Sequence, residues 1–108
     1  MNTLYNFGYF YGSSENFALA KDYFVKAMPI AIELNDLERL SGIYNNIGLM
    51  YQYLGMYDKS NEYQFKALKI IEETGDNKTG YVHLNIALNY YNKSKATIIK
   101  QEQNISKH

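Results

Sequence analysis

The sequence contains no cysteine and no tryptophan, and Pro29 is its single proline. Without cysteine, a disulfide framework, a zinc–thiolate site and a thiol redox couple are all excluded. The 11 basic and 11 acidic residues cancel, which removes the electrostatic attraction that drives most binding to nucleic acids and to anionic membranes. We therefore expect a protein that binds neither nucleic acid nor membrane.

Long apolar runs are also missing. No segment approaches the ~18 apolar residues that a membrane-spanning helix needs, and the first residues lack the basic start and apolar stretch of a secretory signal. What the sequence does contain is an apolar fraction of 46%, with 12 tyrosines among 108 residues. These values are typical of one small folded domain, with half-buried packing faces rich in tyrosine. The expected location is the cytoplasm.

The chain repeats itself with a period of about 40 residues. When the sequence is shifted by 40 positions, nine residues between positions 5 and 42 fall on identical residues, where roughly two or three identities are expected from ordinary residue frequencies. The identical pairs include Asn6 and Asn46, Gly8 and Gly48, Tyr11 and Tyr51, and Ala27 and Ala67. A third copy begins at a shift of 39, where NIALNY at residues 85–90 matches NIGLMY at residues 46–51. The chain is therefore predicted to consist of repeated structural units.

Each unit has the pattern of two helices joined by a short turn. In the second unit, one helix face with i, i+3, i+4, i+7 spacing is formed by Tyr44, Ile47, Gly48 and Tyr51. Gly55 suits the left-handed conformation that ends a helix, and a second helix is expected over residues 57–74. A glycine inside a helix costs about 1 kcal/mol relative to alanine, so Gly48 indicates a close helix–helix approach. The prediction is an all-α fold of antiparallel helix pairs.

This pattern resembles the tetratricopeptide repeat. The motif has Gly-x-x-Tyr in the first helix and small residues with an aromatic in the second. It is carried by Phe7, Gly8, Tyr11, Ala20, Phe24 and Ala27, then by Ile47, Gly48, Tyr51, Ser60 and Ala67, and finally by Ile86, Ala87 and Tyr90. The resemblance implies a right-handed α-solenoid of about two and a half repeats. Its first helices would line a concave surface that binds a peptide or a protein segment.

The resemblance also suggests boundaries and a biological setting. A repeat domain is expected over residues 1–92, with units at about 2–40, 41–79 and a partial unit at 80–92. Residues 93–108 are expected to form a degenerate C-terminal helix or a disordered tail. The family's common period is 34 residues, and the longer period here resembles that of repeats in bacterial signalling proteins. A module of such a system is therefore the expected role; the alternative is a structural or dimerisation fragment of a longer histidine kinase or transcriptional regulator.

The candidate binding residues follow the first helix of each unit. Asn6, Asn46 and Asn85 occupy the same place in three successive units. An amide side chain both donates and accepts hydrogen bonds, so such a ladder could hold an extended peptide backbone. With the groove-facing positions beside them, the predicted site is Asn6, Tyr9, Asn46, Leu49, Tyr53, Asn85 and Asn92. The alternative is that each asparagine bonds within the stack. Asn45 matches Tyr5 and Leu84 in the other units and is the weaker candidate.

Nothing in the sequence indicates catalysis. There is no phosphate-binding loop, nucleophile motif or metal motif, so no enzyme activity, cofactor or metal is expected. His83 is expected to be a packed, hydrogen-bonded residue. The expected partner is a protein or a peptide segment, and a homodimer through exposed repeat ends is the second hypothesis.

Overall fold

The computed structural model describes residues 2–75 and 79–106, and these residues form five helices. The helices are α1 (Asn2–Ser13), α2 (Phe17–Glu33), α3 (Leu37–Tyr53), α4 (Tyr57–Thr74) and α5 (Thr79–Ser106). Each helix packs on the next, and α3 also contacts α5. The all-α prediction is confirmed, because the described part of the chain contains no strand.

The turns repeat as regularly as the helices. The backbone is left-handed at Glu15 (φ 63°) and Gly55 (φ 77°), which follow the first helices, and at Asn35 (φ 51°) and Gly75 (φ 73°), which follow the second. The members of each pair lie 40 positions apart, so the period of the sequence is also the period of the backbone. The prediction that Gly55 is left-handed is confirmed. The sequence also offers Asp76 or Asn77 as the cap of the following helix, and both lie outside the described residues.

The core lies between successive helix pairs. Ile43 and Ile47 of α3 are fully buried against Ala20, Phe24 and Ala27 of α2. Glycine is required where α1 meets α2, because a Cβ atom on Gly8 would lie 2.7 Å from Cε1 of Phe24. The close approach expected from the mid-helix glycines is therefore present in the fold.

The third unit differs from the other two. α5 has 28 residues and continues from Thr79 to Ser106 without a turn. Of the two alternatives for residues 93–108, the described part, 93–106, is helical and continuous with the first helix of the unit. All side chains from Lys93 to Ile105 are exposed. The stack of helix pairs thus ends in a single, protruding helix.

A candidate binding surface on the first helices

A shallow depression lies between α1 and α3. Its volume is about 200 Å³, and its lining includes Tyr9, Leu49 and Tyr53 with Asn46 between them. Tyr9 and Tyr53 are 51% and 58% exposed, so their rings are accessible to a partner. No charged side chain lines this depression. The arrangement can hold an apolar or aromatic side chain and can offer it tyrosine hydroxyls at the rim.

Asn46 is the most deeply placed of these four residues. It is 8% exposed, and its Nδ2 atom donates to the hydroxyl of Tyr5 at 3.0 Å and to that of Tyr9 at 3.5 Å. The two hydroxyls also lie 3.1 Å apart. Burial, together with the hydrogen bond to Tyr9, raises the pKa of Tyr5 to about 12, so the Tyr5 hydroxyl keeps its proton at neutral pH. The amide of Asn46 therefore links the first two units.

Asn85 also bonds within the stack. Its Nδ2 atom donates to Oδ1 of Asn45 at 3.0 Å, which joins α5 to α3. Asn45 is therefore the partner of Asn85, a role that the comparison of repeats did not reveal because Asn45 itself does not recur. Two amides of the predicted ladder thus connect successive first helices, as in the alternative that each asparagine bonds within the stack.

Asn6 lies apart from the depression. With Thr3, Phe7 and Phe10 it lines a different hollow, of about 360 Å³, on another side of α1. The equivalent residues of α3 are Ile43, Asn46, Ile47 and Met50, which are buried against the first unit. Asn6 therefore occupies the side of α1 on which a preceding helix pair would pack. Asn92 is half-buried on α5. The seven predicted residues thus do not all line one depression, and their role in binding stays a prediction.

A buried amide network lies where the third unit meets the second. Asn89 is fully buried; it accepts from Nε2 of Gln52 at 2.9 Å and donates to Oγ of Ser60 and Oδ1 of Asn61, both at 2.7 Å. Sequence reasoning missed this residue. The available signal was that Asn89 aligns with Met50 of the second unit, at a position where the repeat pattern predicts an apolar side chain.

Two other features of the described surface do not extend the site. A larger depression, of about 530 Å³, lies beside the turn between α3 and α4. It is lined by exposed charged groups, among them the ion pair between Lys93 and Asp58 at 2.8 Å. His83 is exposed on α5, so the prediction of a packed histidine is wrong. No cluster of potential metal ligands occurs within residues 2–75 and 79–106.

The geometry of stacked helix pairs agrees with the comparison to known families. The family model for the tetratricopeptide repeat matches residues 2–31 and 41–74, which is more than half of the chain. The chain belongs to the tetratricopeptide repeat family. No curated protein and no solved structure matches it. Tetratricopeptide repeats generally mediate protein–protein interactions and are typically not catalytic. The matched segments are the first two units, and α5 lies beyond them.

No helix within residues 2–75 and 79–106 is both long enough and apolar enough to cross a bilayer.

Proposed function

We propose that the chain is a non-catalytic interaction module that holds a protein or peptide segment against the depression between α1 and α3. The observation that carries this proposal is the exposed aromatic pair Tyr9 and Tyr53 around the 200 Å³ depression. Exposed aromatic side chains beside a cavity are the residues that most often dominate binding energy in protein interfaces.

The chemistry of the depression limits the kind of segment that it accepts. Because no charged side chain lines it, the anchor is an uncharged apolar or aromatic side chain of the partner. Binding should therefore depend little on salt.

Peptides selected from a random phage-displayed library on the immobilised chain provide the test, with affinities measured by fluorescence anisotropy. The expected peptides carry an aromatic or aliphatic anchor and lose at least about tenfold in affinity, or about 1.4 kcal/mol, to Tyr53→Ala. The matched control is Phe65→Ala, because Phe65 is an exposed aromatic on α4 (49% exposed) outside this depression. Equal affinities for the two variants, or selection of acidic peptides that dissociate in salt, would refute the proposal.

The biological setting belongs to the same proposal. The long period supports a place in a bacterial signalling or regulatory system in the cytoplasm, and the interaction surface is compatible with that role. The alternative, a dimerisation fragment of a longer regulator, is favoured by one observation: α5 presents an uncovered apolar side.

A further inference from the structure

One side of α5 carries large apolar residues at every seventh position. They are Leu84, Tyr91, Ile98 and Ile105, and their exposed fractions are 57%, 62%, 54% and 73%. Seven residues make nearly two turns of an α-helix, so the four side chains lie on one side of it. Between them on the same side are the small residues Gly80, Ala87 and Ser94, all exposed. The pattern is that of a helix that packs closely along its length against another helix.

This side of α5 is where the second helix of the unit would lie. Ala87 occupies the place of Gly8 and Gly48 in the first two units. Gly8 is covered by the ring of Phe24, and the Gly48 carbonyl accepts from Oγ of Ser60 at 2.6 Å. Ala87 is exposed, because α5 continues to Ser106 without a turn that would bring a second helix over it.

This side of α5 is uncovered because α5 lacks the turn that follows the first helix in the other two units. Ser94 stands where Gly55 makes the left-handed turn of the second unit, yet Ser94 is inside the continuous α5. Residues 93–106, which would return as a second helix, instead extend away from the stack. A helix of this length is only marginally stable by itself in water, so an apolar side along it points to a packing partner.

We propose that a second copy of this chain supplies the missing helix. Residues 93–106 of each copy lie antiparallel on residues 79–92 of the other, about a twofold axis that passes between Asn92 and Lys93. The two segments have equal lengths, about 21 Å at 1.5 Å per residue. Each copy thereby completes the third unit of the other.

The side chains favour this antiparallel register. Ile105 faces the partner's Gly80, Ile98 faces the partner's Ala87, and Tyr91 faces the partner's Ser94. In these three pairs large residues pack against small ones, as close packing requires. In the same register Leu84 faces the partner's Gln101. A parallel pairing would put each residue against its own copy, so that large residues meet large ones and small residues leave gaps.

The repeats place the partner helix on the same side of α5, in a register that differs by one residue. In the second unit Gly48 faces Ser60. A shift of 39 positions converts this pair into residues 87 and 99, one residue from the pair of Ala87 and Ile98 set by the packing of large against small. The partner helix would therefore sit where α4 sits on α3. This surface is separate from the depression between α1 and α3, so failure of either proposal leaves the other standing.

The mass in solution is the first test. Sedimentation equilibrium at about 50 μM should give twice the 12.6 kDa of the chain. Ile98→Asp should give the monomer mass. The matched control is Ile99→Asp, because Ile99 is also exposed (44%) but points about 100° away around the same helix; it should stay dimeric. A monomeric parent chain, or equal masses for the two variants, would overturn the proposal.

A disulfide test keeps the proposal falsifiable if Ile98→Asp disturbs the helix. The chain has no cysteine, so A87C and I98C each place a single thiol. Mixed under oxidation, they should give a heterodisulfide dimer within minutes. The two sites lie about 16 Å apart along one helix, beyond the reach of a disulfide. I98C alone should therefore not cross-link to itself, whereas rapid cross-linking of I98C alone would show a parallel or different pairing and refute the antiparallel register.

Discussion

At the scale of single residues, two equivalent turns carry different side chains at their left-handed position. Glu15 in the first unit and Gly55 in the second have nearly the same backbone conformation, with φ of 63° and 77°. A side chain in this conformation costs roughly 1–2 kcal/mol, because its Cβ approaches the following carbonyl, whereas glycine is unstrained. The first unit therefore holds local strain that the second avoids.

We expect opposite effects when the two residues are altered. Glu15→Gly should raise the free energy of unfolding by up to about 1 kcal/mol, since the relief of strain exceeds the added entropy of the unfolded chain. Gly55→Ala should lower it by about 1–2 kcal/mol. Urea unfolding monitored by circular dichroism measures both. Changes of the same sign would show that other contacts of the turn dominate.

At the scale of elements, the junction between the second and third units carries a buried asparagine at the place where the junction between the first and second carries a methionine. Met50 packs against the first unit, and Asn89 takes the equivalent place in α5. The bonds of Asn89 to Gln52, Ser60 and Asn61 fix both the height and the rotation of α5 on α3 and α4. Such a network specifies one arrangement only while all of its members are satisfied.

Asn89→Met tests this network, because Met50 shows that the fold accommodates methionine at this place. We expect a loss of about 2–4 kcal/mol in the free energy of unfolding, since buried partners are left without hydrogen bonds. Adding Asn61→Leu should recover part of the loss, because it removes one buried acceptor that Asn89→Met leaves without a hydrogen bond. Asn104→Met, at an exposed position of α5, is the control and should change stability by less than about 0.5 kcal/mol. If both asparagine-to-methionine variants behave alike, the network does not hold the junction.

At the scale of the whole molecule, the stack is one-dimensional. Each helix contacts its neighbours along the chain, and α3 packs on α2, α4 and α5. The molecule is correspondingly elongated, with extents of 57 × 30 × 18 Å. In such a stack, the stability of each helix depends on how many neighbours cover it.

Hydrogen exchange of the native chain should be slowest in the helices that are covered by the most neighbours. The backbone amides of α3 should exchange most slowly, because this helix carries seven buried residues. Those of α1 should exchange most rapidly, because α1 makes its main contacts with α2 alone. Exchange followed by NMR or mass spectrometry measures the protection of each helix. Uniform protection of α1 and α3 would mean that the chain unfolds as one cooperative unit.

The sequence by itself determined the helix pairs. Gly8 and Gly48 are required by the side chain that the next helix presents, and Gly55 by the left-handed backbone of the turn. Both requirements recur with the period of the chain. The all-α fold and the bounds of α4 could therefore be predicted from spacing, and the family from the resemblance of the repeated motif. For the candidate site, the prediction brought together Tyr9, Leu49 and Tyr53, because residues on one helix face repeat at known intervals.

Only the tertiary structure decided what the amides do and where α5 goes. The bonds from Asn46 to Tyr5, from Asn85 to Asn45 and from Gln52 to Asn89 join residues 41, 40 and 37 positions apart, and such bonds depend on the distance and rotation between helices rather than on the pattern within one. Likewise, residues 93–106 have a composition compatible with a returning helix or a continuing one. The choice depends on whether the backbone at Ser94 turns, which serine permits but does not impose.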